Sequence, residues 1–177
     1  TGEQRLIKPN PPMGEDGAPV DLRFNWDAGF AQHPTDPDTI FYGSQFVHKS
    51  TDRGETWTVI SDDLTSNDPD KQTFKTSGGL TKDVTAAENH TTITVIAPSP
   101  VDPDVIWVGT DDGRLHVTRD GGGSWTSLEA KVRRVVDGAW VTFIDPSPHD
   151  ADTAFVVFDD HRRGDMDPYV FKADGFG

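Results

Sequence analysis

One eleven-residue pattern recurs three times along the chain and governs what it can fold into. His33–Gly43, Ser99–Gly109 and Ser147–Val157 each open on a proline and an aspartate, then run into β-branched and aromatic residues. Proline sets φ and the aspartate side chain closes an Asx-turn, and the run after it reads as a strand. A second pattern follows each of these. Ser50-x-Asp52-x-Gly54-x-Thr56-Trp57 and Thr118-x-Asp120-x-Gly122-x-Ser124-Trp125 share one spacing, and Lys172-x-Asp174 near the end is a third copy without its glycine, hydroxyl residue and tryptophan. The aspartate accepts backbone N–H groups of its own tight turn, and glycine supplies the positive φ that turn needs. Asp52, Asp120 and Asp174 are spaced by 68 and 54 residues, a loose period of the size found in solenoids, propellers and arrays.

Further strands lie between the two patterns. The first unit reads as strand A near 26–31, B at 39–43, C at 46–51 and D at 57–60. Ile93–Ala97 and Val141–Ile144 repeat strand A. Four antiparallel strands per repeat make the blade of a β-propeller, and no helical period appears. The expected fold is all-β: a partial β-propeller of about three four-stranded meander blades, the last incomplete. The expected organisation is a Pro/Gly-rich arm at 1–22, blade 1 at 23–61, a long loop insertion at 62–91, blade 2 at 92–129, a linker at 130–139 and a truncated blade 3 at 140–177. A complete propeller has about four to eight blades, so 177 residues correspond to an incomplete ring.

Charge and composition narrow the function. Sixteen Lys and Arg against thirty Asp and Glu give a net charge of −14. That balance argues against a nucleic-acid groove or an anionic membrane surface, both of which need a basic face. No apolar run is long enough to span a bilayer as a helix. The absence of cysteine excludes disulfides, thiolate metal sites and thiol nucleophiles.

The Ser/Thr-x-Asp-x-Gly-x-Ser/Thr-Trp pattern resembles the Asp-box of the BNR-like propeller superfamily, which includes sialidases, xyloglucanases and sortilin-type propellers. Arg23–Trp26, Asp36-Pro37, Lys49–Trp57, Ile60–Thr65, Gly109–Gly113 and Phe158–Arg162 are similar to a narrower set of bacterial exported proteins, labelled sortilin-like or glycosyl hydrolase. The resemblance implies structural roles for Ser50, Asp52, Gly54, Thr56, Trp57, Thr118, Asp120, Gly122, Ser124, Trp125 and Asp174. It also implies an extracytoplasmic location, periplasmic or secreted, and a ligand face built from the B–C and D–A loops. On this chain those loops are Gly43–Gln45, Ser61–Thr91, Asp111–Gly113, Glu129–Gly138 and Asp159–Pro168.

The candidate chemistry lies on those loops. Asp159, Asp160 and His161 offer two carboxylates and an imidazole for acid–base work, or a self-neutralising charged loop with Arg162 and Arg163. Asp111 and Asp112 offer a carboxylate pair, or the corner of a hairpin with Gly113. Asp62, Asp63, Asp68 and Asp70 lack the glycine and closing glutamate of a calcium loop, and the six histidines never pair at metal spacing. Neither a metal nor a cofactor is expected. Only Tyr42 and Tyr169 could serve as a sialidase nucleophile, and both lie inside strand patterns; Arg163-Gly164-Asp165 is read as a coincidental tripeptide. The sequence therefore points to a non-catalytic scaffold or protein-interaction piece that meets other protein chains or the remainder of a longer propeller. The alternative is part of a glycan-cleaving enzyme pairing Asp111 or Asp112 with Asp159 or Asp160. A further alternative is sortilin-type peptide capture.

Overall fold

The computed structural model describes residues 2, 4–72, 89–132 and 137–176. Parts of the 62–91 insertion and of the 130–139 linker, residues 73–88 and 133–136, therefore lie outside the described residues. The rest forms three antiparallel sheets in chain order. The first holds β1 (Phe30–Gln32), β2 (Ile40–Gly43), β3 (Val47–Ser50) and β4 (Thr58–Val59). The second holds β5 (Ile93–Pro98), β6 (Ile106–Thr110), β7 (Leu115–Thr118) and β8 (Thr126–Ser127). The third holds β9 (Trp140–Pro146), β10 (Ala154–Asp160) and β11 (Asp165–Ala173). Each strand pairs with its neighbour in sequence, so every sheet is a meander. No α-helix occurs among the described residues. The chain is all-β and forms part of a β-propeller. Strand A of the first blade is shorter and later than the expected 26–31, because Trp26 and Asp27 form a turn closed by the Ala28 N–H on the Asn25 carbonyl at 3.2 Å.

Side chains alternate across a strand, and here both faces of the middle blade are apolar because both are covered. Phe41 of β2 packs with Ile93, Ile96, Ile106 and Val108 of the second sheet. The opposite face of that sheet presents Ala97, Trp107, Leu115 and Val117 to Val141, Ile144, Ala154 and Val156 of the third. One rule generates both interfaces. The strand-B aromatic of one blade, Phe41 or Trp107, enters a core with the strand-A isoleucine of the next, Ile96 or Ile144. Glycine lets the strands close near the axis. A Cβ on Gly43 would lie 2.8 Å from Ile93, and one on Gly109 would lie 2.3 Å from Val141.

The two full Asp motifs fold into matching hairpin turns. Asp52 Oδ1 accepts from Ser50 Oγ at 2.7 Å and from Thr56 N at 2.9 Å, while Thr56 Oγ1 donates to Oδ2 at 2.7 Å. Asp120 accepts from Thr118 Oγ1 at 2.7 Å, Ser124 N at 2.8 Å and Ser124 Oγ at 2.7 Å. These bonds favour the ionised form, and the Ser124 hydroxyl, followed by that of Thr118, brings the Asp120 carboxyl down to about 2. Ser50 and Thr118 in turn accept a backbone N–H, from Gly54 at 2.7 Å and Gly122 at 3.0 Å. Trp125 donates its indole N–H to the Ile60 carbonyl at 2.8 Å, which ties the second turn to the first blade. Asp174 instead accepts from Lys172 at 3.1 Å, and Phe176 stacks on Trp107 with centroids 6.0 Å apart.

Gly122 has φ of 103°, and a Cβ there would lie 2.8 Å from the Ile60 carbonyl oxygen and 2.9 Å from its side chain. Gly122→Ala is therefore expected to cost about 2 kcal/mol through backbone strain and overlap. Gly123→Ala, whose new Cβ meets only Asp120 of its own turn at 3.2 Å, is expected to cost clearly less. Urea midpoints of the two variants check the order, and equal midpoints would overturn it.

Candidate functional site

The B–C turns and the chain leading into each strand A meet in a buried polar layer. In blade 1, Ser44 Oγ lies 2.8 Å from His48 Nε2, and Gln45 accepts from the Arg23 backbone N–H at 2.9 Å. Arg23 extends to Asp63 at 2.8 Å and to the Thr91 carbonyl at 3.1 Å, so Asp63 is held in a partly buried ion pair. Asp63 also accepts from Thr65 N at 2.9 Å and Thr65 Oγ1 at 2.6 Å.

In blade 2, Asp111 and Asp112 occupy the turn between β6 and β7, and both are buried. Asp111 accepts from Thr92 N and Thr92 Oγ1, each at 2.8 Å, and from Asn25 Nδ2 at 3.3 Å. Asp112 accepts from Thr110 Oγ1 at 2.5 Å and from Ser66 N at 2.7 Å. The pair is a hairpin corner and also an anchor: it fastens the 63–66 and 89–92 segments to the second blade. Burial, opposed by the Thr92 N–H, raises the Asp111 carboxyl to about 7. His90 lies beside it, with Nδ1 4.0 Å from Asp111 Oδ1 and no hydrogen-bond partner on either ring nitrogen among the described residues. Burial holds His90 down at about 4.

In blade 3, Asp159 and His161 form an outer pair at 2.5 Å. Asp160 is buried and held by Arg163 Nε at 2.5 Å, and Arg163 also donates to the Asp137 carbonyl at 2.9 Å. Arg162 lies 3.8 Å above the Trp140 ring, whose edge meets His90 at a centroid distance of 6.1 Å. Each carboxylate of the cluster is thus engaged by a cation or a loop N–H.

The cavities near these groups differ in size. One of about 80 Å³ is lined by Asp112, Gly113, Arg114, Glu129, Asp137 and Phe158. That is too small for a sugar ring, since ligand sites run to about 300 Å³ and more, and the Arg114–Glu129 ion pair crosses its wall. An open groove of about 550 Å³ runs along the rim between blades 1 and 2, past Ile60, Asp62, His116 and Trp125. No group of three or more His, Asp or Glu that could hold a metal ion occurs among the described residues. No helix among them is long and apolar enough to cross a membrane.

Asn25, Thr92, His90 and Trp140 are the members of this layer that sequence reasoning missed. They stand outside both repeated patterns: Asn25, His90 and Thr92 lie on the segments leading into strand A, which differ in length from blade to blade, and Trp140 is the first residue of β9.

The two end sheets carry the other conspicuous surface. Phe143, Phe155 and Val170 stand exposed on the third blade, and register makes them a patch: Val157 pairs with both Phe143 and Val170, and Phe155 lies one pair further along β10. Trp26 and Phe30 stand exposed at the inner edge of the first. The outer part of that first face is covered by the preceding chain. Phe24 lies 5.1 Å from Tyr42 and stacks on His48, Lys8 Nζ sits 4.8 Å over Phe24, and Ile7 fills the notch at Gly54.

The architecture is that of a β-propeller, present as three successive blades. An ancestral GH74 enzyme superposes on 86% of the chain with a TM-score of 0.52 and 15% identity. A GH74 enzyme from Niastella koreensis covers 83% with a TM-score of 0.53 and 16% identity, and the GH74 xyloglucanase from Xanthomonas campestris covers 81% with 0.51 and 17%. The chain spans 15%, 21% and 20% of the length of these proteins. At such identities the likeness concerns the fold. No protein-family model and no curated protein sequence matches the chain.

Proposed function

We propose that this chain is a non-catalytic segment of an Asp-box propeller, serving as a scaffold or protein-interaction module in a larger extracytoplasmic assembly. One observation carries the reading. The strand-B aromatic is 0% exposed in blades 1 and 2, as Phe41 and Trp107, but its counterpart in blade 3, Phe155, is 47% exposed. An apolar patch of that kind marks a contact surface. The charged groups support the same reading, since Asp111, Asp112 and Asp160 are occupied in fastening loops. A net charge of −14 favours partners with basic patches, met at a rate that falls with salt.

The glycan-cleaving alternative draws on the likeness to GH74 enzymes and on the raised carboxyl of Asp111, a property of general acids. Asp111 is 0% exposed, however, and both its oxygens are bonded. The purified chain is expected to release no reducing ends from a panel of β-glucans that includes xyloglucan. Hydrolysis that Asp111→Asn or Asp160→Asn abolishes would overturn the scaffold reading and establish the enzyme.

A further inference from the structure

We propose that the open groove on the rim between blades 1 and 2 is a docking site for an extended, arginine-bearing segment of a partner protein. The guanidinium pairs with the Asp62 carboxylate while the arginine stem lies along Trp125 and Ile60. The proposal rests on the scaffold reading and names the chemistry of the partner.

The groove is built from the two four-stranded blades alone. One wall is the chain leaving β4, from Val59 to Leu64, and the other is the side of blade 2 that carries His116, Trp125 and Ser127. Both walls are fixed before anything binds. Ile60 N donates to the Val47 carbonyl at 2.9 Å, Ser61 Oγ accepts from Val47 N at 2.8 Å, and Leu64 N donates to the Gln45 carbonyl at 3.1 Å. Across the groove, Asp120 holds Ser124 through its N–H and its hydroxyl. The His116 ring is hydrogen-bonded to the Leu64 backbone and the Trp125 indole to the Ile60 carbonyl, so the walls are tied to each other. A site held open in this way gives up little conformational entropy when a segment enters.

The charge on the groove has one sign. Asp62 and Asp63 line it, and among the described residues no lysine or arginine does. The two carboxylates differ in what they already hold. Asp63 is engaged by Arg23 at 2.8 Å and by Thr65. Asp62 is exposed and has no hydrogen bond or ion pair among the described residues. Burial lowers His116 below its ordinary value, so the ring adds no positive charge at neutral pH. The corresponding recess between blades 2 and 3 carries Lys131 and Lys172 in place of these carboxylates, so the acidity belongs to this junction and is not a general property of the repeat.

The floor supplies the other half of the recognition. Trp125 is half-buried: part of it packs against the core that holds Phe41 and Ile106, and the remainder lines the groove beside Ile60. A guanidinium stacks on an indole, its fork matches a carboxylate, and its aliphatic stem covers apolar surface. A lysine pairs with Asp62 as well but lacks that planar fork.

The groove, at about 550 Å³, exceeds one side chain and admits the neighbouring residues of an extended segment. Other occupants fit less well. A second copy of this chain is repelled, since each carries a net charge of −14, and long-range fields of like sign oppose association. A neutral glycan leaves the Asp62 charge uncompensated.

An NMR titration of the 177-residue chain tests the proposal, with an acetylated and amidated glycine–arginine–glycine peptide as the probe. The peptide is expected to shift the amides of Asp62, Gly123, Ser124 and Trp125 to saturation. The same peptide with neutral citrulline in place of arginine should bind about tenfold more weakly, because the charge-assisted bond is lost. Affinity should fall as salt rises. Asp62→Asn is expected to weaken binding by about the same factor at an unchanged melting temperature, since its side chain holds nothing in the fold. Ser127→Arg, which brings a cation into the groove from its own exposed wall, is expected to abolish binding while Asp62 stays in place. The absence of a saturable shift, shifts confined to another face, or a citrulline peptide or Asp62→Asn variant that binds as tightly would each overturn the proposal. Saturable shifts of the same amides with a xyloglucan oligosaccharide, and none with the arginine peptide, would replace it with a sugar site. The scaffold reading is decided separately, by glycan hydrolysis, which these titrations do not measure.

Discussion

Trp107→Ala should remove about 4 kcal/mol of stability, whereas Phe155→Ala, at the same position of strand B one blade later, should remove less than about 1 kcal/mol. Trp107 is fully buried among Ala97, Leu115, Val117, Val141 and Ala154, so its loss combines transfer free energy with a cavity that two rigid sheets cannot close. Its indole N–H has no partner among the described residues, so truncation leaves no acceptor stranded there and the cost is one of packing. Phe155 pairs with Asp145 and Lys172 across its own sheet, where Trp107 pairs with Ala97 and Val117, and among the described residues no blade lies against its outer side. Urea denaturation of the two variants under dilute conditions measures the contrast. A Phe155→Ala cost as large as that of Trp107→Ala would show that the outer face of blade 3 is already packed in the single chain. It would remove the observation on which the scaffold reading stands.

That contrast also shows what the sequence made legible. The two repeated patterns located the strands and the Asp turns, because turn chemistry and β-branched runs are local properties. Both faces of each strand B read as apolar, Ile40–Gly43, Ile106–Gly109 and Ala154–Phe158 alike, as expected of a strand covered on both sides. Phe41, Trp107 and Phe155 therefore look alike in sequence, and only the presence or absence of a neighbouring blade separates them. The role of Ile7 was hidden for a related reason: it is one apolar residue in a Pro- and Gly-rich arm, without periodicity. Asp111 and Asp112 read as a turn, and they do form one. That the turn doubles as a buried anchor depends on Thr92, Asn25 and Ser66, which come from segments 19 to 86 residues away in sequence. Spacing rules do not reach that far.

Acidification should destabilise the fold between about pH 6.5 and pH 4, with His48 and His90 as the principal cause. Both imidazoles are buried, and burial lowers each from 6.5 to about 4. Ser44 meets one nitrogen of His48, while His48 Nδ1 and both nitrogens of His90 have no partner among the described residues. In the unfolded chain both rings take up a proton near pH 6.5; in the fold they resist until about pH 4. The unfolded state therefore binds more protons across that window, and stability falls as pH falls. A shift of this size corresponds to at most about 3 kcal/mol per ring. His116, lowered by its own burial, acts in the same direction. Asp111 acts in the opposite one. Its carboxyl, raised from 3.8 to about 7, is protonated in the fold before it is in the unfolded chain, so its contribution grows as pH falls from 7 to 4 and offsets one histidine. Urea midpoints at pH 7 and pH 4.5 should therefore show a net loss on the acid side for wild type. The loss should be smaller for His90→Gln and larger for Asp111→Asn, which deletes the opposing titration. A His90→Gln variant with the same pH dependence as wild type would mean that the ring is already protonated in the fold, paired with Asp111 as a buried ion pair. The sign of the Asp111 contribution would then reverse as well.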